Sequence, residues 1–263
     1  MANIHEPVVA VAFYPGDSAV LKSTVEALLA VGSENLPIPK AIIAPHAGYV
    51  YSGSIAASAF ACLAKVKDQI DRVILFGPSH RYPVQGLAVH SADFFSTPLG
   101  EIPIDRKSLD RILQLPQVMQ IDEAFAQEHS LEVELPFLQC ILNKFQLVPI
   151  VVGMATDAQV AEVMEMLWDG PSTLIVISTD LSHYQSYAVA RQLDQLTANA
   201  IVALQTESVS NELACGGTAV RGLLEVAKKK ALTAKIIDLR NSGDTSGKMD
   251  QVVGYGAFHL LED

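Results

Sequence analysis

Residues 171–184, PSTLIVISTDLSHY, decide the fold: an apolar run rich in β-branched side chains stops abruptly at an acid, Asp180, a hydroxyl, Ser182, and an imidazole, His183. The pattern reads as a buried strand followed by a reactive loop. Two other runs end the same way. AIIAP (41–45) leads into His46, and VILFGPS (73–79) leads into His80. Ligands of open α/β sheets bind beyond the carboxyl ends of the strands, so His46, His80, Asp180 and His183 are expected to converge at one sheet edge.

Working outward from that strand, apolar runs alternate with helical spacings along the chain. Pro7 to Phe13, Lys40 to Ala44, Arg72 to Gly77 and Gln146 to Gly153 read as strands, as do KIIDLR and VVGYGAFHLL near the end. Gly86 to Ser91 is a further strand, antiparallel because its connection is too short for a crossover helix. Helices are expected after Asp17, over SIAASAFACLAKV, from Asp105 to Leu115, from Asp157 to Trp168, from Tyr187 to Leu204 and just after Cys215. In EHSLEVELPFLQCIL, Leu131, Leu135 and Leu138 form an apolar face, with Pro136 either kinking or restarting the helix. Asp93 to Glu101 reads as loop. The alternation predicts a three-layer α/β/α fold with a central mixed, largely parallel sheet, and residues 1–263 are expected to form one domain.

Composition narrows the function. Half the residues are hydrophobic and 18% are charged, which suits a compact core. The net charge of -11 leaves no basic face for nucleic acid, and Lys228 to Lys230 read as a solvated helix end. The start, MANIHEPVVAVAFYPGD, lacks the pattern of a signal peptide. No apolar run in the sequence reaches the roughly 18 residues of a membrane span. A cytoplasmic location is therefore expected, with Cys62, Cys140 and Cys215 as reduced thiols.

The chemistry lies in the loops. Imidazoles bind first-row transition metals, and His46 and His80, each just past a strand, are matched candidates, although a loop histidine can simply be solvated. Exchange of both for alanine is expected to spare the fold, because loop ends contribute little to a core. Asp180 and His183 are three residues apart. Either His183 is a general acid/base with Asp180 accepting its second ring proton, or Asp180 is a helix N-cap. His129 with Glu128 before it can repeat the first arrangement or start a surface helix. Cys215 sits before Gly216 and Gly217 at a helix start, where amides and the helix dipole are expected to favour the thiolate. His90, His259 and Cys62 read as structural.

The motifs APHAGYVYSG, FGPSH, EHSLEVELPFL, STDLSHY and the CGGTAV helix start, in this order, resemble the Memo-like family, of the type that forms part of the AmmeMemoRadiSam system. The resemblance runs from about His46 to the last strand. It implies a fold similar to class III extradiol dioxygenases, and His46, His80 and Cys215 as metal ligands. Asp180, His183 and His129 would line the same cleft, with His183 the counterpart of the dioxygenase acid/base. It also implies a radical-SAM protein and an AMMECR-type protein as partners. In the dioxygenases a glutamate completes the ligand set; here that role falls to Cys215. A thiolate shifts preference toward copper, zinc or a more covalently bound iron. The resemblance implies a mononuclear iron or copper site of the non-heme dioxygenase kind, acting on a small or peptide-linked substrate. Two rivals stand beside it: a metal-free hydrolase or transferase using Cys215, His183 and Asp180, and a binding module whose cleft holds a peptide or partner, as animal members are thought to do.

Overall fold

A computed structural model describes residues 2–32 and 35–262. Its main sheet is built on four parallel strands. Their sequences are continuous apolar runs because helices cover both faces. In chain order the strands are β1 (Ile4–His5), β2 (Ala41–Ala44), β3 (Arg72–Pro78), β4 (Leu87–Val89), β5 (Phe94–Thr97), β6 (Gly100–Pro103), β7 (Val118–Gln120), β8 (Gln146–Val152), β9 (Thr173–Ser178), β10 (Thr233–Asn241) and β11 (Gly254–Leu261). Eight of them form one sheet in the order β10-β11-β2-β9-β3-β8-β4-β7. β2, β9, β3 and β8 run parallel, and β11 and β4 flank them antiparallel. The expected antiparallel strand after Gly86 is therefore present.

The helices are α1 (Ser18–Leu29), α2 (Tyr49–Phe60), α3 (Arg106–Ile112), α4 (Leu135–Ile141), α5 (Asp157–Leu167), α6 (Tyr187–Val202), α7 (Gly217–Lys229) and α8 (Ser242–Ser246). α1, α2 and α4 pack together on one face and α3, α5 and α7 on the other, giving the three-layer α/β/α architecture. Helix starts follow capping chemistry. Asp17 accepts from Ala19 and Val20, and Thr156 forms a capping box with Gln159. Pro136 stands in the first turn of α4, so it restarts a helix that 132–134 begin as a tighter turn.

Three readings change. Pro7 to Phe13 is not a strand. The amides of Val8 and Val9 donate to the Glu132 carboxylate, and those of Val11, Ala12 and Phe13 turn back onto Tyr14 and Val9. Residues 93–101 are not simply loop: β5 and β6 form a hairpin and β1 adds beside β5 in a separate three-stranded sheet. The pairing of β1 with β5 is between distant segments, so local sequence does not announce it. Finally, α2 continues into the tight helix 61–66, and the 18-residue run Tyr49–Val66 is long and apolar enough to cross a membrane by length and composition alone. It is 61% buried within the protein, as a core helix is.

Candidate metal centre

β9 lies between β2 and β3, and all three run in the same direction. Their carboxyl ends therefore deliver His46, Asp180 and His80 to one edge, and α7 brings Cys215 to it from a distant part of the chain. Cys215 is tied to the β9 loop. Its amide donates to the Asp180 carbonyl, and the Asp180 amide points at its sulfur, 3.3 Å away. Next to it a glycine is required: a Cβ on Gly216 would lie 2.7 Å from the Ser178 carbonyl oxygen.

One ligand atom from each of His46, His80 and Cys215 falls within 4.8 Å of the others. Cys215 Sγ is 3.4 Å from His46 Nε2. Each imidazole has its other nitrogen occupied. His46 Nδ1 is 2.6 Å from Ser178 Oγ, and His80 Nδ1 is 2.8 Å from Glu128 Oε1. A carboxylate can only accept, so His80 carries its proton on Nδ1 and its Nε2 lone pair is free. Glu128 is itself fixed, accepting from the amides of His80, His129 and Ser130. Burial pushes its pKa up, but the hydrogen bond and charge of the His80 ring, with the His80 and Ser130 amides, hold it down at about 2. Among the described residues, a second group of possible ligands, His80, Glu128 and His129, shares these atoms. Four short contacts already fill the Glu128 oxygens, so it serves as a buttress.

Imidazole surrounds the centre. His129 stacks on His80 with ring centroids 4.6 Å apart and stands edge-on to His46 at 5.3 Å. Phe13 covers its other side at 4.7 Å. Burial lowers the pKa of His129 to about 4 and takes that of His46 well below the usual range, with neighbouring imidazoles adding to both shifts. His183 is half-buried and lowered by the same two causes, and its charge is felt by His46. At neutral pH His46, His129 and His183 are thus neutral, the form in which imidazole binds metal.

Several expected roles are revised. Asp180 is neither an orienter of His183 nor a helix cap: residues 179–183 are loop, α6 starts at Tyr187, and the carboxylate accepts from the amides of His46 and Ala47. Burial raises its pKa to about 7. The start of α7 does not prevail over burial at Cys215. Burial, then the charge of Asp180, pushes the thiol up to about 12, outweighing the Asp180 and Gly216 amides and the Thr179 hydroxyl, which act in the opposite direction. The Cys215–His183–Asp180 nucleophile arrangement loses its orienting bond and its activated thiol. His46 is fully buried, so an alanine there costs more stability than at an exposed loop end. His90 and His259 are buried and bonded to nearby backbone, as structural histidines are.

The residues fit a soft or borderline transition-metal ion: the Nε2 sides of two imidazoles and a sulfur lie together, and each imidazole is backed by a hydrogen bond at Nδ1. A cavity of about 240 Å³ opens on Cys215, lined by Ser79, Tyr82, Met154 and Thr218 among others. A larger one of about 790 Å³ lies between α6 and β10 and touches none of these ligands.

In comparison with known proteins, a family model described as Memo-like protein matches residues 5–259. The chain belongs to the Memo-like family. It is 36% identical to a MEMO1 family protein of Aquifex aeolicus, over 96% of this chain and 97% of that one. A MEMO1 family protein of Methanosarcina barkeri is 34% identical over 97% and 98% of the two chains. One from Thermotoga neapolitana is 31% identical over 96% and 98%. Within this Memo-like chain, sequence reasoning missed Ser178, Glu132 and Glu134. The signal was present: two acids at 132 and 134 interrupt the otherwise apolar SLEVELPFL stretch, a third at 128 stands just before it, and all three are buried.

Proposed function

We propose that this Memo-like protein is a metal-dependent redox protein with a mononuclear site at His46, His80 and Cys215, carrying out oxygenase-type chemistry on a small or peptide-linked substrate. The observation that carries the reading is the convergence of three ligand atoms within 4.8 Å, with both imidazoles presenting a nitrogen not used elsewhere. Iron or copper bound there would supply one-electron chemistry and a position for a co-substrate, whereas zinc would supply a Lewis acid.

The chain's own groups have separable tasks. Cys215 would hold the ion as the thiolate, so uptake would release its proton. His183 and His129, both neutral at pH 7, can take a proton from a substrate hydroxyl in the cleft. Asp180 holds the His46 backbone, and Phe13 covers the outer face of His129 and limits water there.

A second reading, a peptide- or partner-binding cleft without turnover, draws on the rim. Val11, Val50, Tyr51 and Tyr184 are 83%, 79%, 46% and 71% exposed, and each lies within about five residues of a cleft side chain. Exposed apolar groups close in sequence to the cleft residues suit a bound chain. A radical-SAM protein and an AMMECR-type protein are the partners proposed for it.

Elemental analysis of protein purified anaerobically without added metal separates these readings. Stoichiometric iron or copper, reduced sharply in Cys215→Ser, is expected. Metal content at background in the wild type, or unchanged in Cys215→Ser, would remove the proposed site.

A further inference from the structure

Behind His46 lies a buried acid that the metal site itself does not use. Glu134 is fully buried; its Oε1 is 3.1 Å from Ser178 Oγ, and its Oε2 has no hydrogen-bond partner among the described residues. Ser178 Oγ has three neighbours: the Ser130 carbonyl oxygen at 2.6 Å, His46 Nδ1 at 2.6 Å and Glu134 Oε1. A serine hydroxyl offers one proton and two lone pairs. The Ser130 carbonyl can only accept, and two oxygens at that distance repel unless a proton lies between them, so the serine proton goes to Ser130. Both remaining neighbours then face lone pairs and must donate. His46 donates through Nδ1–H, and Glu134 has a proton to donate only as a carboxylic acid.

We propose that Glu134 is a positioning residue that remains a neutral acid, donates to Ser178, and thereby holds the serine in the orientation that fixes the His46 proton on Nδ1 and bares Nε2 toward Cys215. An ionised Glu134 fits poorly. It would compete for the serine proton, and its Oε2 would be an anionic oxygen buried without a donor. Desolvation first, with the charge of Asp180 adding, favours the neutral form in the same direction. The tyrosine closest in character, Tyr49, does not relieve it, because its hydroxyl donates to the Val133 carbonyl.

The consequence is an asymmetry between the two imidazoles. His80 leans on a carboxylate, while His46 leans on an uncharged chain of serine and acid. The inference concerns the metal-free protein and holds whether or not the cleft takes a cation, so it can fail independently of the proposed function.

Infrared difference spectra and ¹⁵N NMR of the ring nitrogens test it, both on metal-free, full-length protein near neutral pH. Subtracting Glu134→Gln from wild type should reveal the carbonyl band of a neutral carboxylic acid. Loss of ionised carboxylate bands instead would overturn the proposal, and this arm requires only the isosteric variant to fold. The His46 ring should show a protonated Nδ1 and bare Nε2 in wild type and in Glu134→Gln, whose amide can still donate. In Glu134→Ala the freed serine should let both tautomers appear. An unchanged ring in the alanine variant, or a switched tautomer in the glutamine one, would overturn the positioning role.

Discussion

Two groups of imidazoles lie in this protein, and only one has the makings of a metal centre. His5 and His90 approach as closely as the ligand pair does, with ring centroids 4.7 Å apart against 5.2 Å for His46 and His80. The difference is what surrounds them. His5 and His90 are packed against Phe95 and Phe125, and His90 Nδ1 accepts the Ala92 amide. His46 and His80 spend Nδ1 on partners that leave Nε2 bare, and a cysteine faces the same point. Proximity of histidines is therefore a weak signal, and the identity of the atoms behind each ring is the stronger one.

The largest effect should come from breaking the contrast outright. His46→Ala with His80→Ala should reduce stoichiometric metal to background, while His5→Ala with His90→Ala leaves it unchanged, both read by elemental analysis. Because His46 is fully buried, thermal unfolding of the first pair should shift as well, by the equivalent of about 2–3 kcal/mol. Equal metal loss in both pairs would show that the difference in surroundings is irrelevant.

A smaller change tests the two backings against each other. Glu128→Gln replaces an anion by a neutral group at Nδ1 of His80, and metal affinity should fall about 10–100-fold, as removal of such partners does. Glu134→Gln exchanges one neutral donor for another and should cost less than about 3-fold, a factor worth roughly 0.7 kcal/mol. Titration with a single divalent metal under identical conditions measures both. Comparable losses would mean that the two histidines are supported alike.

A third glutamate acts at one remove. Glu132 accepts from the amides of Val8 and Val9 and from the Tyr14 hydroxyl, which holds the segment that lays Phe13 on His129. Glu132→Ala should cost about 2 kcal/mol in stability and speed hydrogen exchange at the Val8 and Val9 amides, with little change in metal content. Protection that persists at those amides would place the anchor elsewhere.

The four parallel strands and the helices between them were legible because each carries its period in a short window. The convergence of His46 and His80 was legible because both follow strand ends. The segment from Pro7 to Phe13 was misread for a physical reason: its apolar residues satisfy the pattern of a strand, but its amides are captured by an acid more than a hundred residues away. The pairing of β1 with β5 has the same cause, since those two strands are remote in sequence. Spacing in the sequence left Asp180 either beside His183 or as a helix cap, whereas the fold offers it the His46 amide. The thiol of Cys215 was judged from its helix start alone, while burial, which no local pattern reports, dominates its titration. Ser178 looked like the last residue of a strand, and only the register of β9 beside β2 reveals that it supports a ligand.

The smallest effect should come from the cluster that lacks a site, and it appears only in acid. Burial first, then the neighbouring His90, lowers the pKa of His5 to about 4, against 6.5 in the unfolded chain. Between those values the unfolded chain binds a proton that the folded one does not, so stability is lost as pH falls from 6.5 toward 4. His5→Phe keeps a ring against Phe95 and His90 but removes the titration. Since His5 is only partly buried, the gain near pH 4 should be about 1 kcal/mol after allowing for solvent screening, with no change at pH 7.5. Denaturant unfolding of wild type and variant at both pH values measures it. A variant no more stable than wild type in acid would mean that His5 is protonated without penalty, and that the two imidazole groups differ less in environment than their neighbours suggest.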